Sequence, residues 1–254
     1  MKKFIFFVAL FPIILTANLG FSEDFCQNIT IQELEKHLPG PLPPNSKILL
    51  NKEKEGICES IIDVNGREIP FYSTKNFVII GQMFKDKKNL SYEAISTIRK
   101  SYLSKLKDKI DSAVTYSLMP DKIRPEHTIY FFTDPLCPYC HRTVQRIKNF
   151  SNKTNTNVKI ILYSVHGDKG NKEIEKVICS NMDFETYAST NFPLQKKSTT
   201  CEKGQKVIKL GQEIARKLKI NAVPAFVLED GTQVIGADLR RLELALSQTS
   251  NSTK

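Results

Sequence analysis

Cys137 and Cys140 stand three positions apart in FFTDPLCPYCHRTVQ, residues 131 to 145, with Pro138 and Tyr139 between them. Two thiols at this spacing can be half of a zinc site, half of a disulfide framework, or a redox centre in which one sulfur attacks a foreign disulfide and the other releases it. A strand-like run, TIYFFT at 128 to 133, leads into the pair, and a helix is predicted from about residue 140 to 150. At a strand-to-helix junction Cys137 lies at the positive end of the helix dipole, where unpaired backbone N–H groups favour thiolate over thiol. Cys137 is therefore read as the nucleophile. Cys140, one turn on and facing the same way, is read as the thiol that attacks the mixed disulfide. Pro138 has no N–H to lose in a first turn, where that donor lacks an intrahelical partner anyway. Tyr139 adds an uncharged aromatic wall.

The competing readings use the same thiols. Cys137, Cys140, Cys179 and Cys201 could form a four-thiolate zinc site, but structural zinc sites usually bring a second close cysteine pair. A purely structural bridge between Cys137 and Cys140 would close too short a loop to remove much denatured-state entropy. His141 leaves a helix about 100° round from Cys140 and is read as a surface residue. Asp134, just before Pro135, is read as a turn initiator. His37, His127 and His166 show no ligand spacing, and no metal or cofactor is expected.

The compartment in which these thiols operate follows from the N-terminus. Lys2 and Lys3 precede an apolar run from Phe4 to Leu15, broken only by Pro12, and small or polar residues follow to Ser22. That order is a secretory signal, and the run falls short of the roughly 20 residues a bilayer span requires. Residues 1 to 22 are predicted to be removed, which sends all six cysteines into an oxidising compartment. Formal net charge is +10, from 37 Lys and Arg against 27 Asp and Glu, with the lysines spread along the chain. Scattered charge on an exported protein excludes nucleic-acid binding as the leading function.

Around the cysteine pair the chain reads as two modules. ITIQELEKHL predicts a short helix that PGPLPP ends; KILL, ICESIIDV, REIPFY and FVIIG then predict an antiparallel sheet, with Asn65-Gly66 as a type I′ hairpin turn. From Ser91 to Ile110, Tyr92, Ile95, Ile98, Tyr102, Leu103, Leu106 and Ile110 recur at helical spacing. Periodicity leaves open whether this helix links two domains or packs on one of them. TIYFFT, the helix after the cysteines and VKIILY at 158 to 163 make a βαβ unit with parallel strands. A mostly helical stretch from 166 to 218 follows, then a hairpin of AFVLE and TQVIG around Asp230-Gly231, then a closing helix from about Leu239 to Leu246.

FFTDPLCPYCHR followed by NAVPAFVLEDGTQVIG resembles the thioredoxin-like catalytic domain of the bacterial periplasmic disulfide isomerases and reductases of the DsbC/DsbG family. The order of modules is similar over nearly the whole chain beyond residue 22. The resemblance implies a small N-terminal antiparallel-sheet, cystatin-like dimerisation domain at 23 to 86, a linker helix at 87 to 115, and a thioredoxin-fold domain at 116 to 250 with a helical insert at about 166 to 218. It implies Cys137 and Cys140 as the redox pair, Pro224 as a cis-proline facing it, and Val223 as a source of backbone contacts to a bound peptide. Cys179 and Cys201 match the family's structural disulfide, a bridge that stabilises by roughly 3 kcal/mol. Cys26 and Cys58 have no such match; they are left to pair with each other or to remain free.

The implied function is that of a periplasmic homodimer rearranging wrong disulfides in unfolded or misoxidised exported proteins, kept reduced by an inner-membrane electron donor of DsbD type. Two features qualify the match. Isomerases of the family commonly have threonine before the cis-proline, whereas Val223 is the choice of DsbA-type oxidases; the Pro138-Tyr139 dipeptide resembles DsbG. Thioredoxin's buried acid, six residues before its first active-site cysteine, is replaced here by Phe131, which argues against a general cytosolic-type reductase and not against the family match. A dimeric dithiol oxidase and a non-enzymatic chaperone are the rival readings.

Overall fold

The structure, a computed structural model, describes residues 23–122, 124–194 and 200–251. The predicted signal segment, residues 1 to 22, lies outside them. The chain divides into two compact units between Gln82 and Met83.

The first unit opens with α1 (Glu23–Gln27) and α2 (Ile31–Glu35). Thr30 caps α2, its hydroxyl accepting from the Glu33 N–H at 3.2 Å, and so satisfies one of the donors that a helix start leaves without a partner. Strands β1 (Lys47–Lys54), β2 (Ile57–Val64), β3 (Arg67–Ser73) and β4 (Val78–Ile80) form an antiparallel sheet in that order. Asn65 and Gly66 sit at φ 50° and 86° between β2 and β3, the positive pair that a type I′ turn demands. Leu34, Ile62 and Phe71 are buried together beside Cys26 and Cys58. Those two cysteines are bonded, S–S 2.01 Å, which ties α1 to β2.

The second unit begins with a short hairpin of β5 (Phe84–Lys85) and β6 (Lys88–Asn89), after which Asn89 caps the long helix α3 (Leu90–Ala113) by accepting from the Tyr92 N–H at 3.0 Å. Strand β7 (Val114–Leu118) follows at once; its residues VTYSL include the strand-favouring Val114, Thr115 and Tyr116, but no turn residue marks where the helix stops and the strand starts. The chain then runs through β8 (His127–Thr133), α4 (Pro138–Thr154) and β9 (Thr156–Leu162). Next come α5 (Gly167–Cys179), α6 (Phe184–Ser189), α7 (Glu202–Lys217), β10 (Ala225–Leu228), β11 (Gln233–Ile235) and α8 (Leu239–Asn251).

The five-stranded sheet has the order β11-β10-β8-β9-β7. Only β8 and β9 run parallel, joined across one face by α4 in a βαβ crossover. Alternation along β8 divides the core. Ile129 and Phe131 face α4, where Val144, Ile147 and Phe150 cover them. Tyr130 and Phe132 face the opposite layer, made by Leu103, Leu106 and Ile110 of α3 together with Ile214 and Ala215 of α7. Helix α3 is thus a packed layer of the second unit, the alternative that periodicity left open. Helix α7 lies so close to β9 that a Cβ on Gly211 would stand 2.8 Å from the Leu162 carbonyl oxygen. Residues 166 to 218 supply α5, α6 and α7, and the Cys179–Cys201 disulfide, S–S 2.03 Å, fastens the end of α5 to the start of α7. Among the described residues no helix is long and apolar enough to cross a membrane.

Candidate active site

Helix α4 starts on a cysteine. Cys137 is its N-cap in extended conformation (φ −88°, ψ 115°), Pro138 takes the first helical position, and the Cys140 N–H points at the Cys137 sulfur from 3.4 Å. A sulfur in the place usually held by a Ser, Thr, Asp or Asn oxygen receives the donor that the helix start leaves over, and it sits in the positive field of the helix. The loop before it is pinned from both ends: the Cys137 N–H donates to the Asp134 carbonyl at 3.1 Å, and the His141 N–H to the Cys137 carbonyl at 3.0 Å.

Across from this turn, the Val223–Pro224 peptide is cis. The Cys137 thiol lies 3.7 Å from the Val223 carbonyl oxygen and can donate to it. Val223, Pro224 and the cysteine pair, read from stretches 86 residues apart, are therefore brought to one place. The two thiols are not bonded to each other. Cys137 keeps 7% of its surface open whereas Cys140 keeps none, so only Cys137 can meet an incoming disulfide. Burial pushes the Cys140 thiol well above its ordinary range, opposed by the Asp134 backbone N–H and the Thr133 side chain. Tyr139 stands 60% exposed beside the pair, with the Arg142 guanidinium 4.6 Å from its ring centre.

Asp134 does more than start a turn. Its Oδ1 accepts from the Leu136 N–H at 2.8 Å, which is the turn-capping role. Its Oδ2 accepts from the Ser164 hydroxyl at 2.9 Å and the Val165 N–H at 2.8 Å, and meets His166 Nδ1 at 2.8 Å. The carboxylate is fully buried and clamps the loop after β8 to the loop after β9, at the carboxyl ends of the two parallel strands. His166, which shows no ligand spacing, is thereby part of the site's frame. No local signal could have found a pair separated by 32 residues. His141 meets Gln145, Nε2 to Nε2 at 3.0 Å, along the outside of α4. Cys179 and Cys201 are bonded to each other, so no four-thiolate zinc site forms with Cys137 and Cys140.

A family model described as a thioredoxin-like domain matches residues 122–240. Among solved structures, a linker-deletion mutant of Proteus mirabilis ScsC is similar at 20% identity, over 63% of this chain and 86% of that one, with a TM-score of 0.50. The Wolbachia pipientis thiol-disulfide exchange protein alpha-DsbA2 is similar at 19% identity over 61% and 98% of the two chains, TM-score 0.49. Helicobacter pylori DsbG is similar at 16% identity over 72% and 93%, TM-score 0.39. No curated protein sequence matches the chain. Within the second unit, residues 122–240 match a thioredoxin-like domain, and an antiparallel-sheet unit precedes the second unit.

Proposed function

We propose that this chain is a periplasmic thiol-disulfide isomerase and reductase of the DsbC/DsbG type. The observation that carries the reading is the unbonded Cys137 at the N-terminus of α4, its sulfur 3.7 Å from the carbonyl that precedes cis-Pro224, with Cys140 unbonded and buried behind it. The Cys137 thiolate attacks one sulfur of a substrate disulfide, forms a mixed disulfide, and expels the other substrate sulfur as a thiolate. Release follows either when that freed thiolate attacks elsewhere in the substrate, which is isomerisation, or when Cys140 attacks Cys137, which is reduction. Backbone groups of Val223 hold the substrate chain in strand-like fashion beside the sulfurs. Isomerisation requires the pair to be kept reduced, hence an electron donor in the inner membrane. The disulfides at Cys26–Cys58 and Cys179–Cys201 and the leader-like N-terminus support an oxidising compartment.

The test is reactivation of a scrambled, fully oxidised multi-disulfide protein by the reduced protein, beside Cys137→Ser. Recovery of native activity that vanishes with Cys137→Ser is expected. A substrate that stays scrambled sinks the isomerase reading. Val223 then becomes the guide, and oxidation of reduced substrate, as in DsbA-type proteins, takes its place. A chaperone would survive Cys137→Ser.

The proposed homodimer joins through the first unit. Strand β4 stands at an edge of its sheet among the described residues, and Phe77, Ile79 and Ile80, in or beside it, are 45%, 53% and 51% exposed. Substituting Ile79→Lys and Ile80→Lys together is expected to shift a dimer to monomer in sedimentation velocity while leaving the reactivity of Cys137 toward an alkylating agent unchanged. A wild-type protein that sediments as a monomer at micromolar concentration removes the dimer from the proposal.

A further inference from the structure

Thr133 ends β8 fully buried, and among the described residues its hydroxyl forms no hydrogen bond of ordinary geometry. An uncommitted buried hydroxyl destabilises the state in which it is found and calls for a reason. Strand alternation sends its side chain to the α4 side of the sheet, after Ile129 and Phe131. Two polar groups face it there: the thiol of Cys140 and the hydroxyl of Tyr187, a buried residue of α6. Both lie close enough to interact with it electrostatically, although neither makes a regular hydrogen bond while Cys140 is a thiol.

We propose that Thr133 is a catalytic residue of the release step, its hydroxyl donating a hydrogen bond to the Cys140 sulfur when that sulfur is a thiolate. The inference rests on the reading of Cys137 and Cys140 as a thiol-exchange pair. In release, the Cys140 thiolate attacks the Cys137 sulfur of the mixed disulfide. A new Cys137–Cys140 bond forms, the bond from Cys137 to the substrate breaks, and the electron pair leaves on the substrate sulfur. That sulfur takes up the proton Cys140 gave up; the substrate is reduced by two electrons and the protein pair oxidised. The difficult species is the Cys140 thiolate, because the sulfur is wholly buried and burial opposes its charge. Phe131, on the same face two residues earlier, offers it nothing. A hydroxyl carries one donor and two lone pairs, so Thr133 can accept from Tyr187 and donate to the sulfur at the same time. A donor needed only for the anion has no partner while Cys140 is a thiol, which accounts for its uncommitted state.

The test follows the reduced protein reacting with 5,5′-dithiobis(2-nitrobenzoate) in a stopped-flow instrument. The first thionitrobenzoate released reports attack by Cys137, and the second reports attack by Cys140 on the mixed disulfide. With Thr133→Val the first phase is expected to stay within about twofold of wild type and the second to slow about tenfold, the usual weight of a hydrogen bond to a charged group. Thr133→Ala should behave like valine, and Thr133→Ser should retain a second phase within about threefold of wild type. Reduced Thr133→Val should melt at or above the wild-type temperature, since it loses only an unsatisfied hydroxyl. An unchanged second phase in both the valine and alanine variants overturns the proposal. So does equal slowing of both phases, or a serine variant as slow as valine. A wild-type protein that releases no first equivalent instead overturns the reading of Cys137, a separate outcome.

Discussion

Replacing Cys140 by alanine is expected to turn the protein into a covalent trap. Cys137 would still attack, because its exposure, its cap position on α4 and its contact with the Val223 carbonyl do not involve the Cys140 sulfur. What disappears is the internal nucleophile one turn away. A thiol held beside its target acts at a very high effective concentration, so the release of reduced substrate should slow at least about a hundredfold in the absence of added thiol. Mixed disulfides with exported proteins should then accumulate as bands that resist boiling on a non-reducing gel and collapse on adding dithiothreitol. Rearrangement within the substrate does not need Cys140, so part of the reactivation of a scrambled protein should persist. Cys137→Ser with Cys140 intact should give neither adduct nor reactivation. A Cys140→Ala protein that forms no adduct would mean that Cys137 is not the attacking thiol, and the mechanism would have to be abandoned at its first step.

What the chain's own letters make legible is local, and the reason is physical. Asn65-Gly66 is read as a turn because only residues tolerant of positive φ fit both positions, and they sit at 50° and 86°. Cys137 is read as standing at a strand-to-helix junction because an apolar strand leads into the pair and a helix follows it, and it caps α4. Non-local arrangements are where reading stops. The role of α3 depends on which apolar face answers Leu103, Leu106 and Ile110, and periodicity names no partner. Strand β7 pairs with β9 in antiparallel fashion at the sheet edge, yet VTYSL alone follows the helix without punctuation. Asp134 shows the same limit within the site: its bond to the Leu136 N–H is local and follows from its place before a proline, whereas its three contacts to Ser164, Val165 and His166 exist only once β8 and β9 lie side by side. The thiols are visible from their spacing; the frame that holds them is not.

Phe226→Ala is expected to cost about 3–5 kcal/mol, a large share of the margin of a domain whose total stability is about 5–15 kcal/mol. Phe226 lies in β10, between β8 and β11, paired with Phe131 on one side and Val234 on the other. Its ring stacks on that of Phe131 at 4.7 Å, tilted 18°, and both residues are fully buried. No neighbour can close such a hole cheaply, since the strands on either side are fixed by their hydrogen-bond ladders. Phe226→Leu, which keeps most of the volume, should cost about 1 kcal/mol, and the pair of variants can be compared by urea denaturation followed by circular dichroism. A loss under about 1 kcal/mol for alanine would show that the two rings do not anchor the core. The functional consequence follows from position. Phe226 stands two residues beyond Pro224, and Phe131 six before Cys137, so the stacked rings join the strand that carries the cis-proline loop to the strand that delivers the nucleophile. The 3.7 Å contact between the Cys137 sulfur and the Val223 carbonyl is set by that junction, and loosening it should lower thiol-exchange activity in the fraction that remains folded.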